Sequence, residues 1–197
     1  MDAPLPLVTL SAGRFTLRPF GPGDQGLIQE AGHDPLIPLI TSVPSPCDAP
    51  GAQAFILRQH VRLTSGEGYS LAIAEGNGAE GEDSVAVGQI GLWLQSGGQG
   101  RASVGYWVVE SARRRGAAGQ ALRAVSRWGL TLPGIERLEL YVEPWNEGSW
   151  RTAEGVGYRR EGLLRSWQRV GERRRDMYMY SLLASDLPKG RGKAEPT

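Results

Sequence analysis

Cysteine is all but missing from this chain. Cys47 is alone among 197 residues, which excludes an internal disulfide framework and a thiolate metal cage and fits a reducing compartment. Long apolar runs are missing too, with no stretch approaching the roughly 18 apolar residues of a membrane-crossing helix. The opening "MDAPLPLVTL" has an acid and two prolines where a secretion signal would carry a basic region and an apolar run, so a cytoplasmic protein without a membrane partner is expected. Nor is either charge in excess. With 22 basic and 21 acidic residues the net charge is +1, so no whole-molecule field draws the chain to nucleic acid, and any charge-driven function must be local. Histidine is limited to His33 and His60, and no metal site is expected. A P-loop is also lacking, since no lysine precedes Ser or Thr.

Patterning in the remainder alternates strands and helices. "GRFTLRPF" (13–20) alternates Phe15 and Leu17 with Arg14, Thr16 and Arg18 before Pro19, as a first strand does. A helix is expected from Asp24, and five prolines in 34–51 exclude a long helix there and predict an irregular wall. Helical spacing returns over 52–63 through Phe55, Ile56, Gln59, His60 and Leu63. "YSLAIAE", "VAVGQIGLWL" and "RASVGYWVVE" read as strands joined by the glycine-rich turns "GNGAEGEDS" and "QSGGQG". The next helix carries Ala118, Ala121, Leu122, Val125, Trp128 and Leu132 on one face. The strand "RLELYV" (137–142) leads to a short helix with Ser149 as its expected N-cap and Gly155 or Gly157 at its end. Two last strands, "YRREGLLRSWQRV" and "RRRDMYMYSLL", meet at "GE". Seven strands in one α+β domain are expected over 13–184, behind an extension (1–12) and before a tail (185–197) expected to be disordered.

The stretch "VVESARRRGAAGQALRAV" (108–125) carries a chemical signal. A strand ending in small residues that open a helix presents unpaired N–H groups at the positive end of the helix dipole, an arrangement that binds phosphate. Gly116, Ala118 and Gly119 admit close approach and Arg113, Arg114 and Arg115 add charge, so a pyrophosphate is the expected ligand. The same run also fits a solvated basic surface before an ordinary helix.

Arg113-x-x-Gly116-x-Ala118 resembles the R/Q-x-x-G-x-G/A signature of the GNAT superfamily of acyl-CoA-dependent N-acyltransferases. "LELYVEPWNEGSWRTAEGVGYRREGLLR" resembles, through N-x-x-S and G-[FY]-x-x-E-G, the branch holding the ribosomal-protein N-terminal acetyltransferases. The likeness runs from residue 13 to 183. It implies the GNAT fold: one mixed, mostly antiparallel twisted sheet, helices on both faces, and a splay between the fourth and fifth strands, here "RASVGYWVVE" and "RLELYV". It also implies acetyl-CoA as cosubstrate. Backbone groups of Val108 and Val109 would meet the pantetheine, and Arg113, Arg114, Arg115, Gly116, Ala117, Ala118 and Gly119 would surround the pyrophosphate. Asn146 would reach the cofactor arm and Ser149 would lie near the sulfur, although each also suits a turn or cap.

Amine acetylation needs a donor for the developing oxyanion, a proton for the leaving thiolate and an acceptor for the ammonium proton. The resemblance gives the first role to a backbone N–H near Val109 and the second to Ser149. The third departs from the family pattern. Its tyrosine position holds Ala153, the branch's glutamate position holds Gln168, and a further glutamate position holds Tyr141. Strand alternation puts Glu139, Tyr141 and Glu143 on one face, making Glu139 or Glu143 the candidate base, acting through water, while solvated strand acids fit the same pattern. His33 in the irregular wall is the better histidine candidate, and Trp145 and Trp150 are expected to shape the tunnel. Seven arginines between Arg159 and Arg175 read as solvated strand residues or as a means of capturing an acidic peptide or a carboxylated acyl group.

The expected activity is acetyl transfer in a ternary complex to the amine of a protein N-terminus or of a small molecule such as an antibiotic or polyamine. A succinyl-type donor and a non-catalytic acyl-CoA sensor stay open, a nucleic-acid binder is opposed by the net charge, and exposed edges fit a homodimer.

Overall fold

Phe15 and Leu17 both bury their side chains, and the strand they form, β2 (Phe15–Arg18), joins a sheet whose order is fixed by hydrophobic alternation and short turns. The computed structural model describes residues 4–76, 84–94 and 99–188. The turns "GNGAEGEDS" and "QSGGQG" and the tail "KGRGKAEPT" lie largely or wholly outside the described residues. The other elements are β1 (Leu10–Ala12), α1 (Gln25–His33), α2 (Ile37–Ile40), α3 (Ala49–Thr64), β3 (Gly68–Glu75), β4 (Val85–Leu94) and β5 (Arg101–Val108), then α4 (Ala117–Gly129), β6 (Arg137–Val142), α5 (Glu147–Val156), β7 (Arg159–Val170) and β8 (Arg173–Leu183). The eight strands stand in the order β1-β2-β3-β4-β5-β6-β8-β7. One more strand is present than the seven expected, because β1 in the N-terminal extension pairs back on β2 with Ala12 opposite Phe15. Of the described pairings, only β5 with β6 is parallel.

Two neighbouring residues of β3 show that the sheet is covered on both faces. Ser70 donates to Gln59 of α3, whereas the Tyr69 ring meets Trp128 of α4 edge-on at 4.6 Å. Successive strand side chains point oppositely, so α3 and α4 lie on opposite faces, and β3 is buried along nearly its whole length. In α3 the buried residues are Ala52, Phe55, Ile56 and Gln59; in α4 they are Ala117, Ala121, Leu122, Val125, Ser126 and Gly129, which share Ala121, Leu122 and Val125 with the expected stripe, while Ala118 and Trp128 are half-buried and Leu132 lies past the helix end. The proline-rich wall holds only the single turn α2, and Asp48 caps α3 by accepting from Gly51 N.

The β5–β6 contact is short. Arg101, Ala102 and Ser103 pair with Arg137, Leu138 and Glu139, and beyond them the strands separate. These are the fourth and fifth strands of the sequence reading, and the splay falls between them as expected. Leu138 approaches Gly129 of α4, so Leu138, Leu140 and Val142 face α4 while Glu139, Tyr141 and Glu143 face the α3 side.

The start of the domain is tied by Arg18 at the end of β2, whose guanidinium pairs with both oxygens of buried Asp24 at 2.8 and 2.9 Å, while Gly21 N donates to the same carboxylate at 2.8 Å. Asp24→Ala would strand a largely buried guanidinium. Urea unfolding should show a loss of about 3 kcal/mol, and a loss under about 1 kcal/mol would contradict this role.

Candidate active site

A cavity of about 470 Å³ opens where β5 and β6 part. Its β4–β5 floor includes Gln89, Trp93, Ser103, Gly105 and Trp107, which share the α3 face. Trp93 lies flat across a glycine pair: Gly91 is opposite Gly105, and a Cβ on Gly91 would fall 2.1 Å from Trp93 Cη2. Behind this floor runs a buried polar chain. Trp107 Nε1 donates to Gln89 (2.6 Å), Gln89 to Ser70 (2.6 Å), and Ser70 and Arg62 to Gln59 Oε1 (3.0 and 2.8 Å). These pairings fix the side chains that shape the floor.

Hydrogen-bond phase decides which backbone groups face the gap. Val109 N donates to Val87 O at 3.1 Å, so Trp107 and Gly105, two and four residues back, also pair toward β4. Tyr106 and Val108 therefore turn their amides away from β4, toward the split. This corrects the assignment of Val109 as oxyanion donor, because its N–H is already spent in the sheet. Val108 O is also engaged, accepting from Arg113 Nε at 3.0 Å.

Across the gap, Asn146 begins α5 and its Oδ1 accepts from Ser149 N at 3.2 Å. Asn146 is thus the N-cap that the sequence reading placed at Ser149. The Ser149 hydroxyl is free for another use, donating to Tyr106 Oη at 3.1 Å, while Tyr106 Oη donates to Ser149 O at 2.9 Å. Burial pushes the Tyr106 phenol above its ordinary pKa, so it stays protonated at neutral pH.

The two candidate carboxylates part company along β6. Glu139 lies in the paired portion, 1% exposed, held by Arg137 at 2.9 Å and accepting from Tyr141 Oη at 2.8 Å. A carboxylate fixed in an ion pair at the closed end of the split is removed from the cavity, which corrects its assignment as base. Tyr141 is no base either, since burial and the adjacent Glu139 push its phenol up to about 12. Glu143 lies past the split and lines the cavity at 7% exposure. Trp145 Nε1 donates to its Oε2 at 2.8 Å and Arg175 approaches the same oxygen at 3.7 Å. Its Oε1 has no partner among the described residues. Neither Glu143 nor Glu139 is the solvated strand acid that the sequence also allowed.

At the turn where the sequence places the cofactor, Gly116 sits at φ 82°, a conformation that favours glycine, and starts α4. Ala117, Ala118 and Gly119 occupy the first turn, and the first helical bond comes from Gln120 N to Gly116 O at 3.0 Å, leaving the earlier amides without intrahelical acceptors. The arginines divide. Arg113 pairs with Asp34; burial opposes that charge, but the Leu36 and Ile37 amides and Arg113 hold the carboxyl below its usual range. Arg115 is 3.5 Å from Glu75, and Arg114 has no partner among the described residues. The other expected participants lie apart: His33 and His60 bond to the carbonyls of Gln29 and Phe20, and Trp150 does not line the cavity, whereas Trp145 and Gln168 do.

The family model described as an acetyltransferase (GNAT) domain matches residues 14–159. The chain belongs to the GNAT acetyltransferase family. It is an acetyl-CoA-dependent N-acetyltransferase. It is 28% identical over 179 residues to an uncharacterised N-acetyltransferase, p20, of Bacillus licheniformis, covering 89% of this chain and 96% of that protein. Mycobacterium smegmatis RimJ in complex with CoA-disulfide has the same fold at TM-score 0.73 and 23% identity, covering 93% of this chain and 89% of that one. The microcin C7 self-immunity acetyltransferase MccE, in complex with acetyl-CoA and AMP, superposes at TM-score 0.71 with 16% identity over 86% and 92% of the two chains. Among the described residues of this GNAT chain no helix is long and apolar enough to cross a membrane.

The cap assignment separates two neighbouring variants. Asn146→Ala should lower unfolding free energy by about 1 kcal/mol, and Ser149→Ala should leave it within about 0.5 kcal/mol. Equal losses in thermal or urea unfolding would return the cap to Ser149.

Proposed function

We propose that this GNAT enzyme acetylates the α-amine of a polypeptide N-terminus by direct attack within a ternary complex, with Glu143 as the carboxylate that receives the amine proton. The observation that carries this is the place of Glu143 at the open end of the split, where its carboxylate lines the cavity and Oε1 has no donor among the described residues. That oxygen can accept from an incoming ammonium. A carboxylate so placed favours an enzyme over an acyl-CoA sensor. RimL, a ribosomal L7/L12 alpha-N-protein acetyltransferase, shares the fold at TM-score 0.72 and 16% identity, and the acceptor class proposed here is of that kind.

The residues at the split fit coenzyme A. The amides of Ala117, Ala118 and Gly119 lack helical acceptors and would hold the diphosphate, with Arg114 the guanidinium left for it. The N–H groups of Tyr106 and Val108 face the gap and would hold the pantetheine arm and the acyl oxygen. Bound there, the cosubstrate supplies an acetyl thioester open to an amine. The chain's own contribution is proton handling on opposite faces of the sheet. Glu143 takes a proton on the α3 side. Ser149 Oγ holds one on the α5 side, kept in place by its bond to the Tyr106 hydroxyl. The tryptophan-lined floor limits water around the amine.

Glu143→Gln should lower kcat/KM for a peptide amine by about 100-fold while acetyl-CoA affinity stays unchanged; an unaltered rate in a thiol-release assay would remove Glu143 from the mechanism. For the cofactor, Gly119→Glu is the cleaner variant, because a Cβ there meets only Thr152 Cγ2 at 3.9 Å and no positive φ is disturbed. The folded variant should show no measurable acetyl-CoA binding by calorimetry, and retained affinity would place the diphosphate elsewhere.

A further inference from the structure

The hairpin formed by β7 and β8 is exposed over most of its outer half, including both strands near the turn. From Arg165 to Asp176 it carries five arginines against Glu172 and Asp176. Two of the five are committed locally: Arg174 donates to the Ser166 and Trp167 carbonyls at 2.8 and 2.9 Å, and Arg175 leans toward Glu143. Asp176 is committed too, accepting from Ser166 N at 2.7 Å. Arg165, Arg169 and Arg173 are exposed and have no hydrogen bond or ion pair among the described residues. Arg169 stands directly opposite Arg174 in the ladder, a like-charged cross-strand pair that destabilises the hairpin unless an anion lies against it.

The same arm reaches the acceptor cavity. Gln168 and Met177 line it, and Trp167, 49% exposed, stacks on Tyr141 at 5.6 Å beside it. A two-residue excess in β7 produces this placement: Leu164 pairs with Met177 and Gln168 with Arg175, so the strand bulges at Ser166, which takes φ 50°. β7 is also the edge of the sheet, offering unpaired backbone groups from Arg159 to Leu164 on either side of a one-residue bulge at Glu161.

We propose that the β7–β8 arm is a docking surface for an acidic, extended polypeptide segment adjoining the amine to be acetylated. The inference rests on the peptide acceptor proposed above and adds its charge. A second copy of the chain is disfavoured on this edge, since it would bring arginine against arginine. A free strand edge suits a polypeptide, which can add main-chain hydrogen bonds to it, where a nucleic acid cannot. Carboxylates meeting Arg165, Arg169 and Arg173 would give the salt-sensitive attraction, and the exposed faces of Trp167 and Leu163 the apolar contact.

The test uses the full chain, a fluorescent acidic peptide with its own amine blocked, and a peptide of equal length with glutamine and asparagine in place of the acids. At low salt the acidic peptide should bind about ten-fold tighter, and the advantage should vanish at about 0.3 M NaCl and in the variant Arg165→Gln/Arg169→Gln/Arg173→Gln. That variant should keep the parent's kcat on a short neutral peptide amine. Equal affinity for the two peptides, or an undiminished advantage in the triple variant, overturns the proposal. Tighter binding of polyuridylate than of the acidic peptide also overturns it, assigning the arm to nucleic acid. Charge-selective binding of the blocked peptide with no turnover of its unblocked form supports the arm while removing the peptide-acceptor reading, so the two can fail separately.

Discussion

Backbone hydrogen bonding that is withheld between two strands organises this molecule. A parallel pair of strands ordinarily continues its ladder as far as both chains run, because a buried N–H or C=O without a partner is costly. Here β5 and β6 share only three residue pairs and then separate, leaving the outward amides of Tyr106 and Val108 at a cavity. The surrounding structure keeps the split from closing. Trp93 lies across the Gly91–Gly105 pair on one face, Tyr106 is bonded into α5 on the other, and Arg113 ties the carbonyl of Val108 to the Asp34 wall. A bound arm with amide groups of its own can complete the interrupted ladder, so the fold's main local cost and its capacity for coenzyme A have one origin.

The split also divides the chemistry. Residues of β6 alternate between the α4 face and the α3 face, so Leu140 and Val142 pack while Tyr141 and Glu143 look into the acceptor side. Ser149 and Tyr106 exchange hydrogen bonds on the α5 side. In the proposed mechanism, the proton taken from the amine and the proton given to the sulfur would therefore belong to different groups in different surroundings.

Much of this was legible in the sequence, and the failures have a common cause. Apolar alternation, proline stops and the helical stripe of α4 gave seven of the eight strands and the long helices, since those signals are local. β1 was missed because three residues carry too little pattern. Alternation also put Glu139 and Glu143 on one face, correctly, but it says nothing about where the partner strand stops pairing. Glu139 falls opposite Ser103 inside the ladder and becomes an ion-pair partner; Glu143, four residues on, falls beyond it. In the same way Val109 and Val108 look interchangeable as sequence, and only the phase fixed by Val109 N to Val87 O decides which amide faces the gap. Ser149 and Asn146 were both plausible caps by composition, and the carboxamide reaching Ser149 N settled the choice.

The arginine run at the turn proposed for the cofactor shows how ion pairing can spend a charge motif locally. Arg113 and Arg115 are each within ion-pair distance of an acid, Asp34 and Glu75, and Arg14 shares Glu75 at 3.4 Å. Much of the field expected from three guanidinium groups is therefore cancelled within the turn. What remains is Arg114 and the positive end of α4, a helix of 13 residues whose first amides have no intrahelical acceptor. A diphosphate bound here, as proposed, would gain mainly from oriented N–H groups, with pairing of Arg113 and Arg115 serving to hold the loop that presents them. On that division of labour, shape at Gly116 and Gly119 outranks charge at Arg113 and Arg115, because a guanidinium already committed to a carboxylate can be replaced more cheaply than a backbone path that only small residues leave open.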